Sequence, residues 1–508
     1  MLLALMAVSP ILILLILLLV FKMSAMRSSI VSFFVALVIF FFYYKPGFQG
    51  LGISLLKGIS LALFVILIIW GAMFLYNLVN ETGALHVINT NIGRIVSDRF
   101  FQFILLSWIF SAFLQGIAGF GVPVIVVTPL LIGMGFDPII SVAAVLVGHS
   151  WAFSFGSMGS SIYAINMVTN TDIGEIIIYM AVFGAVAMFC TGLSVCYIYG
   201  GKSVLLRKSP YVLILSIVMS AVLYVLARLE MLSVIGILTG LCGLICCYGL
   251  YRVLQRKKGT GKIQFFKTEL NLFQALLPYL LIIVLSVLFY FLNPQWIIGL
   301  DFDGYVTALG HQVIAEENYV TFNLLKFPFS VIMLSSFISM IVYAKKKILN
   351  KEKMKKIVKV TAKKCMSTTV TLLFLLSIAV LMMDSGMIDQ IANSLVSLTG
   401  RIYPLVAPFI GLLGAFVTGS NTNSNVIFGS LQEIAALALG FPAAVMCGAQ
   451  SIGASIGGGI GPTTVSLGAT AAQIQGEENK IYKKTLGPIL ITTAVLAIVN
   501  IVINYGFQ

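Results

Sequence analysis

The feature that most constrains this chain is a series of apolar runs, each as long as a membrane span, that recurs from one end to the other. Of its 508 residues 60% are hydrophobic and only 9% are charged, which is more apolar surface than a water-soluble core can bury. In lipid, only helices and closed barrels pair every backbone polar group. Because the runs are continuous, the sequence predicts an all-α integral membrane protein with about 12–14 transmembrane segments.

The charged residues are distributed as in a multi-pass protein of the cell membrane. Most Lys and Arg residues fall in three polar segments, 202–208, 252–267 and 345–364, whereas 294–325 carries acidic residues but neither Lys nor Arg. The positive-inside rule predicts that the three basic segments are cytoplasmic loops and that 294–325 faces outward. This pattern explains the net charge of +14 without nucleic acid as a partner.

Two stretches of the chain share an order of features: a polar, glycine-containing break, an apolar helix, a Gly-Phe turn, a second helix, a polar pair and a glycine-rich break. The first stretch contains Gln115-Gly-Ile-Ala-Gly-Phe-Gly-Val-Pro123, His149-Ser150 and Phe155-Gly-Ser-Met-Gly159. The second contains Thr418-Gly-Ser-Asn-Thr-Asn-Ser-Asn425, Gln450-Ser451 and Gly457-Gly-Gly-Ile-Gly-Pro462.

The loop charges place the start of the first stretch inside and that of the second outside, which predicts two inverted repeats with broken helices or re-entrant hairpins. Glycine in membrane helices often serves close packing only. Polar side chains among the glycines favour a cavity instead, because unpaired polar groups are costly in lipid. We predict N-terminal scaffold spans in 1–100, repeat 1 in 101–200, central scaffold spans in 201–365 and repeat 2 in 366–508.

Substrate contacts are expected from both breaks, because an inverted pair presents its half-helix ends to one central site and helix N-termini attract anions. The predicted contacts are Gln115, Gly119, Gly121, Ser150, Ser157, Ser420, Asn421, Thr422, Asn423, Ser424, Asn425, Gln450 and Thr463. The three histidines are far apart and the cysteines lack zinc-site spacing, so neither a cofactor nor a resident metal is expected.

A coupling ion has three candidate positions. His149 is either a hydrogen-bonded structural histidine or a proton carrier. Asp384 is either an exposed carboxylate at a helix end or an intramembrane acid. The oxygens of Ser420, Asn421 and Thr422 are of the kind that binds a hard cation such as Na⁺.

The motifs resemble those of the L-lactate permease family. The similarity lies in the first break, Phe155–Gly159, Leu-Pro-Tyr at 277–279, Asp-Ser-Gly-Met at 384–387 and Gly-Ser-Asn-Thr-Asn-Ser-Asn at 419–425, followed by Phe-Gly-Ser-Leu-Gln at 428–432. The resemblance implies proton-linked uptake of lactate, glycolate or a similar 2-hydroxy monocarboxylate, in a fold with two inverted repeats and re-entrant hairpins.

Departures from that family pattern concern ionisable groups. An acid usually stands at the position of Gln115, an Asp at Asn421, an Asn at His149 and a Lys near Gly458. The loss of both acids argues against the usual proton route, and Ser420-Asn421-Thr422 is similar to the hairpin motif of sodium-coupled carboxylate transporters. Because the resemblance to lactate permeases spans the whole chain, the sequence still favours the proton.

The predicted function is therefore secondary active transport of a small organic anion, with H⁺ or Na⁺ as the coupling ion. The alternatives are a sodium-coupled or uncoupled transporter of another carboxylate or of a neutral solute, and more distantly a channel, which would more often build its pore from oligomeric symmetry. No catalytic constellation points to an enzyme. A homo-oligomer is compatible with the prediction.

Overall fold

The computed structural model describes residues 2–119, 121–255, 270–292 and 294–506, without the side chains of residues 2–5, 19, 93, 94 and 255. Twelve helical stretches in these ranges are long and apolar enough to cross a membrane, and Met6–Leu18 and Val122–Gly133 are shorter apolar helices. The fold is thus that of a helical multi-pass membrane protein, as predicted.

The helices of the first half are α1 (Leu2–Leu19), α2 (Ala25–Ile39, continued by a π-helical turn Phe40–Tyr44), α3 (Gly47–Glu81), α4 (Ala84–Arg94), α5 (Arg99–Ile104, joined by π-helical Leu105–Phe110 to α6, Ser111–Ile117), α7 (Val122–Gly133), α8 (Pro138–Gly148), α9 (Ser160–Asn166), α10 (Ile173–Arg228) and α11 (Ile235–Gln255). The 3₁₀ turns Ser150–Ala152 and Ser157–Gly159 lie between α8 and α9.

The second half contains α12 (Leu272–Leu292), α13 (Pro328–Lys345), α14 (Lys351–Asp384), α15 (Met387–Thr399, followed by a 3₁₀ turn Gly400–Ile402), α16 (Tyr403–Thr418), α17 (Asn421–Leu439), α18 (Ala443–Gly458), α19 (Pro462–Ala471) and α20 (Glu478–Gly506). The short strands β1 (Ile297–Phe302), β2 (Tyr305–Val306), β3 (Gln312–Val313) and β4 (Glu316–Asn323) lie between α12 and α13.

Helix α10 folds back on itself in its middle. The backbone leaves the helical conformation at Gly200 and at Gly201, where φ is +68° and ψ is −162°, a conformation that favours glycine. The Ser220 hydroxyl lies 3.8 Å from the Met188 sulfur, which shows that the two arms pack side by side. The predicted loop at 202–208 is therefore wrong: these residues are the first turns of the returning arm.

The other basic segments are also more helical than predicted. Of 345–364, only 346–350 lies outside a helix, because the Asn350 side chain accepts a hydrogen bond from the backbone N–H of Lys353 (2.8 Å) and caps the start of α14. The predicted loop at 252–267 begins within α11, and its remainder, 256–267, lies outside the described residues. The cytoplasmic location of all three segments stays a prediction.

The two predicted repeats have the same order of helices, and their contacts are exchanged pairwise. Helix α7 contacts α19, and α17 contacts α9; likewise α8 contacts α20, and α18 contacts α10. This is the pattern that a two-fold relation between the stretches produces. The spans Arg99–Ile117, Pro138–Asn166 and Ala443–Ala471 are almost entirely buried, whereas α12 and α20 are largely exposed, so the segments next to the breaks lie at the centre of the protein.

Close helix contact within the second repeat depends on glycine. A Cβ atom at Gly453 or Gly457 of α18 would overlap the backbone of Pro408 or Leu412 in α16. Small residues that allow such approach are a main source of helix association in membranes, where dispersion and backbone contacts replace the hydrophobic drive. These two glycines therefore serve close packing, and Gly457 does so although it begins the predicted glycine-rich break.

The predicted outward segment 294–325 forms two antiparallel two-stranded sheets, β1 with β4 and β2 with β3. The Lys57 ammonium of α3 pairs with Glu316 of β4 (2.9 Å). The Asp384 carboxylate at the end of α14 accepts hydrogen bonds from Ser54 (2.5 Å) and Tyr305 (3.3 Å). Burial, and then the nearby Asp384 carboxylate, raise the pKa of the Tyr305 phenol, which thus stays a neutral donor. These contacts attach the strands to α3 and α14.

Candidate functional site

Both predicted breaks line one cavity of about 270 Å³, a size suited to a small solute. The predicted residues that line it are Gln115, Gly119, Gly121, Ser157, Ser420, Asn421, Thr422, Asn423 and Thr463. Segments about 300 residues apart in the chain thus meet at the centre of the molecule.

Helix N-termini surround this cavity. Gly121 is the N-cap of α7, Ser420 is the N-cap of α17, and Thr463 is in the first turn of α19. The first N–H groups of a helix have no intrahelical acceptor and carry a partial positive charge. Three N-termini around one cavity therefore favour an anion without any cationic side chain.

The conformation of the first break is stabilised by a hydrogen bond to another segment of the same repeat. Ala118 is extended, and Gly121 has a φ of +77° that allows α7 to begin in a new direction. The backbone N–H of Gly119 donates to the Ser157 hydroxyl (2.9 Å). A Cβ atom at Gly119 would lie only 2.6 Å from that oxygen. Glycine is therefore required here for the close approach between the break and the 3₁₀ turn.

The second break consists of Gly419 and Ser420. Gly419 has a φ of +69°, and a Cβ atom there would overlap the hydroxyl of Thr463. The Ser420 hydroxyl accepts a hydrogen bond from the backbone N–H of Asn423 (3.3 Å) and so caps α17. The conformation aims the first residues of α17 at the cavity.

Hydrogen bonds between the repeats fix the orientation of two amide side chains. The Ser154 hydroxyl donates to the carbonyl of Ser451 (2.8 Å), so it accepts from the Asn421 amide nitrogen (2.8 Å). The Asn425 amide nitrogen donates to the carbonyl of Ser161 (3.0 Å). If either amide group were flipped, the side-chain oxygen of Asn421 or Asn425 would face an oxygen that has no proton to donate to it.

Several amide oxygens are consequently left as unused acceptors. The side-chain oxygens of Gln115, Asn421, Asn423 and Asn425 are buried and have no hydrogen-bond partner in the described part of the chain. Three of these residues line the cavity. A buried carbonyl oxygen without a partner is costly, and the three that belong to the cavity wall are available as acceptors for a donor or a cation.

Among the described residues, no titratable side chain lines the cavity. His149 is fully buried and lies next to it, with its ring centroid 5.1 Å from that of Phe153, which is in the cavity wall. Its Nδ1 is hydrogen-bonded to the carbonyl of Val145, which leaves Nε2 as an acceptor without a partner in the described ranges.

Asp384 does not line the cavity. It is buried in the cluster with Ser54 and Tyr305, so the exposed helix-end interpretation of this residue is wrong.

Four predicted contacts do not reach the cavity wall. Ser150, in the 3₁₀ turn that follows α8, donates to the carbonyl of Val147 at the end of α8. Ser424 and Asn425 lie one turn further along α17 than the end that faces the cavity, and Gln450 donates to the Ser424 hydroxyl (3.2 Å). Ser424 and Asn425 donate to the carbonyls of Gly411 and Ser161, so these side chains are used in contacts between helices.

The sequence prediction missed one side of the cavity. Ser367, Thr368 and Thr371 of α14 line it, together with Ser160, Ser161 and Thr464 of the repeats. The run Ser-Thr-Thr-Val-Thr at 367–371 is the signal that was available, because so many hydroxyl groups are unusual in an apolar span.

The fold and this cavity define the class: a multi-pass membrane protein whose polar site is built from broken helices of two repeats, as in secondary transporters. The family model for L-lactate permease matches residues 3–507, so the chain belongs to the L-lactate permease family. The predicted family is thereby confirmed, as is the prediction of a transporter rather than an enzyme.

Individual relatives are distant but cover most of the chain. The L-lactate permease of Bacillus subtilis is 23% identical over 87% of this chain and 85% of its own length. The glycolate permease GlcA of Escherichia coli is 25% identical over 87% and 84%. Among solved structures, the Alcanivorax borkumensis YdaH transporter aligns with 90% of this chain and 88% of its own, with a TM-score of 0.49 and 15% identity.

Proposed function

We propose that this protein is a cation-coupled transporter of L-lactate or a similar 2-hydroxy monocarboxylate such as glycolate. The observation that carries the proposal is the composition of the cavity wall, in which helix N-termini and unpaired amide oxygens face the same small volume. Its relatives among lactate and glycolate permeases support the substrate class.

The two halves of a 2-hydroxy acid suit the two kinds of group in the wall. A carboxylate is stabilised at the N-termini of α7, α17 and α19, where N–H groups and hydroxyls donate to it. The 2-hydroxyl donates to an amide oxygen, for which Asn421 and Gln115 are available. A solute without the hydroxyl leaves that acceptor unpaired, which provides selectivity for hydroxy acids.

Sodium is the coupling ion that this wall favours. Na⁺ binds hydroxyl, amide and carbonyl oxygens, which are abundant around Ser420, Asn421 and Thr422. Moving an anion alone through a low-dielectric core is costly, and helix dipoles offset only part of the cost. A cation bound beside the substrate removes most of the remainder.

A proton carried by His149 is the second candidate. The unpaired Nε2 atom is an acceptor beside the cavity wall, and protonation there would add a positive charge next to the site. The resemblance to proton-linked permeases favours this route. Asp384 is a weaker candidate, because its partners are Ser54 and Tyr305 and it does not line the cavity.

Uptake by proteoliposomes distinguishes the candidates. Labelled lactate or glycolate is supplied under a sodium gradient alone and under a proton gradient alone. For sodium coupling, we expect uptake to survive collapse of the pH gradient and to be lost in Asn421→Ala. Proton coupling predicts uptake without sodium and its loss in His149→Ala.

The matched control is Asn77→Ala. Asn77 is also buried and also donates to a side chain, the Thr361 hydroxyl (2.8 Å), but neither residue lines the cavity. The Asn77→Ala variant should retain gradient-driven uptake, and any decrease should match its loss of stability. Saturable uptake that ignores both gradients would reject both couplings and leave a uniporter. Absence of saturable binding for every 2-hydroxy acid would reject the substrate class.

Transport further requires that the site open to each side in turn. We infer that the helices around the two breaks, within 101–165 and 402–475, move against α3 and α14, because α14 supplies one wall of the cavity and contacts α17. A disulfide between α14 and α17 should abolish transport and leave substrate binding measurable. Unchanged transport by the cross-linked protein would contradict the moving core.

A further inference from the structure

A second large cavity lies on the outside of the helix bundle, in the groove between the two arms of α10 and the first half of α20. Its volume is about 1180 Å³. Its walls carry large apolar side chains such as Leu213, Ile217 and Ile491, which are roughly half exposed or more. Gly487 faces the open space of the groove, because a Cβ atom there would meet nothing within 4 Å.

One end of the groove is positively charged. Lys483 and Lys484 line it at the same end as Gly201 and Leu205, which lie at the bend of α10. In the part of the chain that the structure describes, neither lysine forms an ion pair, whereas Lys480, one turn earlier, pairs with Glu477. Two lysine side chains without an ion-pair partner among the described residues thus lie at one end of the apolar groove.

The length of the groove matches one leaflet of a bilayer. Its lining on the returning arm of α10 runs from Leu205 to Ser220. At 1.5 Å per residue this is about 22 Å, close to half of the roughly 40–45 Å bilayer thickness with headgroups included. The charged end then lies at headgroup level and the apolar part at the depth of the acyl chains.

We propose that this groove is a binding site for one anionic phospholipid, with the phosphate on Lys483 and Lys484 and an acyl chain along α10 and α20. Basic pockets between transmembrane helices on the cytoplasmic side bind acidic headgroups in this way. The basic first turns of the returning arm, 202–208, are on the side that the positive-inside rule assigns to the cytoplasm. The site is separate from the transport cavity, because the two share no lining residue.

Native mass spectrometry of the purified full-length protein tests this site. Phosphatidylglycerol and phosphatidylcholine with identical acyl chains are titrated in separate experiments, and bound lipids are counted. We expect one phosphatidylglycerol to bind preferentially, and Lys483→Gln/Lys484→Gln to weaken its binding about tenfold or more. The control Lys355→Gln/Lys359→Gln removes two exposed charges from the basic start of α14 and should change nothing.

A second variant tests the apolar part of the site. Gly487→Leu fills open space, so it should fold while weakening the binding of both lipids. The proposal is overturned if the two lipids bind equally in the parent, or if the Lys483 and Lys484 variant binds like the control. It is also overturned if glycerophosphoglycerol binds as tightly as the lipid, or if delipidated protein forms dimers that Gly487→Leu disrupts, which would identify a soluble anion or a second copy as the occupant.

Discussion

The hydrogen bond between Ser154 and Asn421 connects the two repeats, and its loss should lower the free energy of unfolding. Ser154→Ala removes the acceptor of the Asn421 amide nitrogen, which lies 2.8 Å from the hydroxyl. The carbonyl of Ser451, to which the same hydroxyl donates, lies within α18 and keeps a helical partner. The change therefore removes the acceptor of the Asn421 amide and a hydrogen-bond neighbour of the Ser451 hydroxyl, which lies 3.0 Å from the Ser154 oxygen.

The loss of these contacts sets the expected magnitude. An orphaned buried donor costs about 1–3 kcal/mol in a soluble protein. Hydrogen bonds between membrane helices have smaller measured couplings, with a mean of about 0.6 and a maximum of about 1.7 kcal/mol. Since both residues are almost completely buried, we expect Ser154→Ala to lower the free energy of unfolding by about 1–2 kcal/mol.

The assay is reversible unfolding of the purified protein in mixed micelles, for Ser154→Ala, Asn421→Ala and the double variant. The matched control is Ser111→Ala, which is equally buried but loses only a bond to the carbonyl of Ser107 in its own helix, and should lie within about 0.5 kcal/mol of the parent. The losses of unfolding free energy in the two single variants should add up to about 0.6 kcal/mol or more above the loss in the double variant. Strict additivity would refute the coupling between the repeats.

Two further predictions concern the first break and the strands between α12 and α13. Gly119→Ala should lower uptake about tenfold to a hundredfold, since its Cβ would displace the Ser157 hydroxyl, whereas Gly133→Ala has open space and should transport normally. Thermal unfolding should show Glu316→Gln to be less stable than the control Glu317→Gln, because the first removes a carboxylate from the buried Lys57 ammonium and the second changes an exposed carboxylate. The reverse order would contradict this account of the ion pair.

Sequence alone was sufficient to locate the two breaks. Glycines next to Ser, Asn and Gln in apolar surroundings have few explanations other than a cavity, and Gln115, Ser157 and Asn421 do line one. The positions of glycine and polar residues within the apolar runs were enough to predict the breaks. No knowledge of the packing was needed.

The parts that were missed depend on three-dimensional contact. The hydroxyl run at 367–371 is unusual for an apolar span, but only the packing of α14 against α17 shows that Ser367 and Thr371 face the cavity. The bend at Gly200–Gly201 was concealed by basic residues that resemble a loop. Similarly, Ser154 carries no sequence signal, because its role depends on the position of Asn421 in the other repeat.

Position 115 provides a direct test of how charge at the cavity controls transport. Gln115 lines the wall, is 3% exposed and has an unpaired side-chain oxygen among the described atoms. In Gln115→Glu the side chain is nearly isosteric. When it is protonated it can donate a hydrogen bond, and when it is ionised its negative charge competes with the substrate for the same helix N-termini.

Uptake by Gln115→Glu should therefore fall as pH rises between about 5 and 8, and an inward proton gradient should drive it. A sodium-coupled parent should be insensitive to pH over the same range. The control Gln274→Glu makes the same change in α12, where the side chain accepts from the backbone N–H of Asn271 away from the cavity, and should behave like the parent. If Gln115→Glu transports at the parental rate at every pH, the side chain at position 115 does not meet the substrate, and the anion must bind closer to α17 and α19.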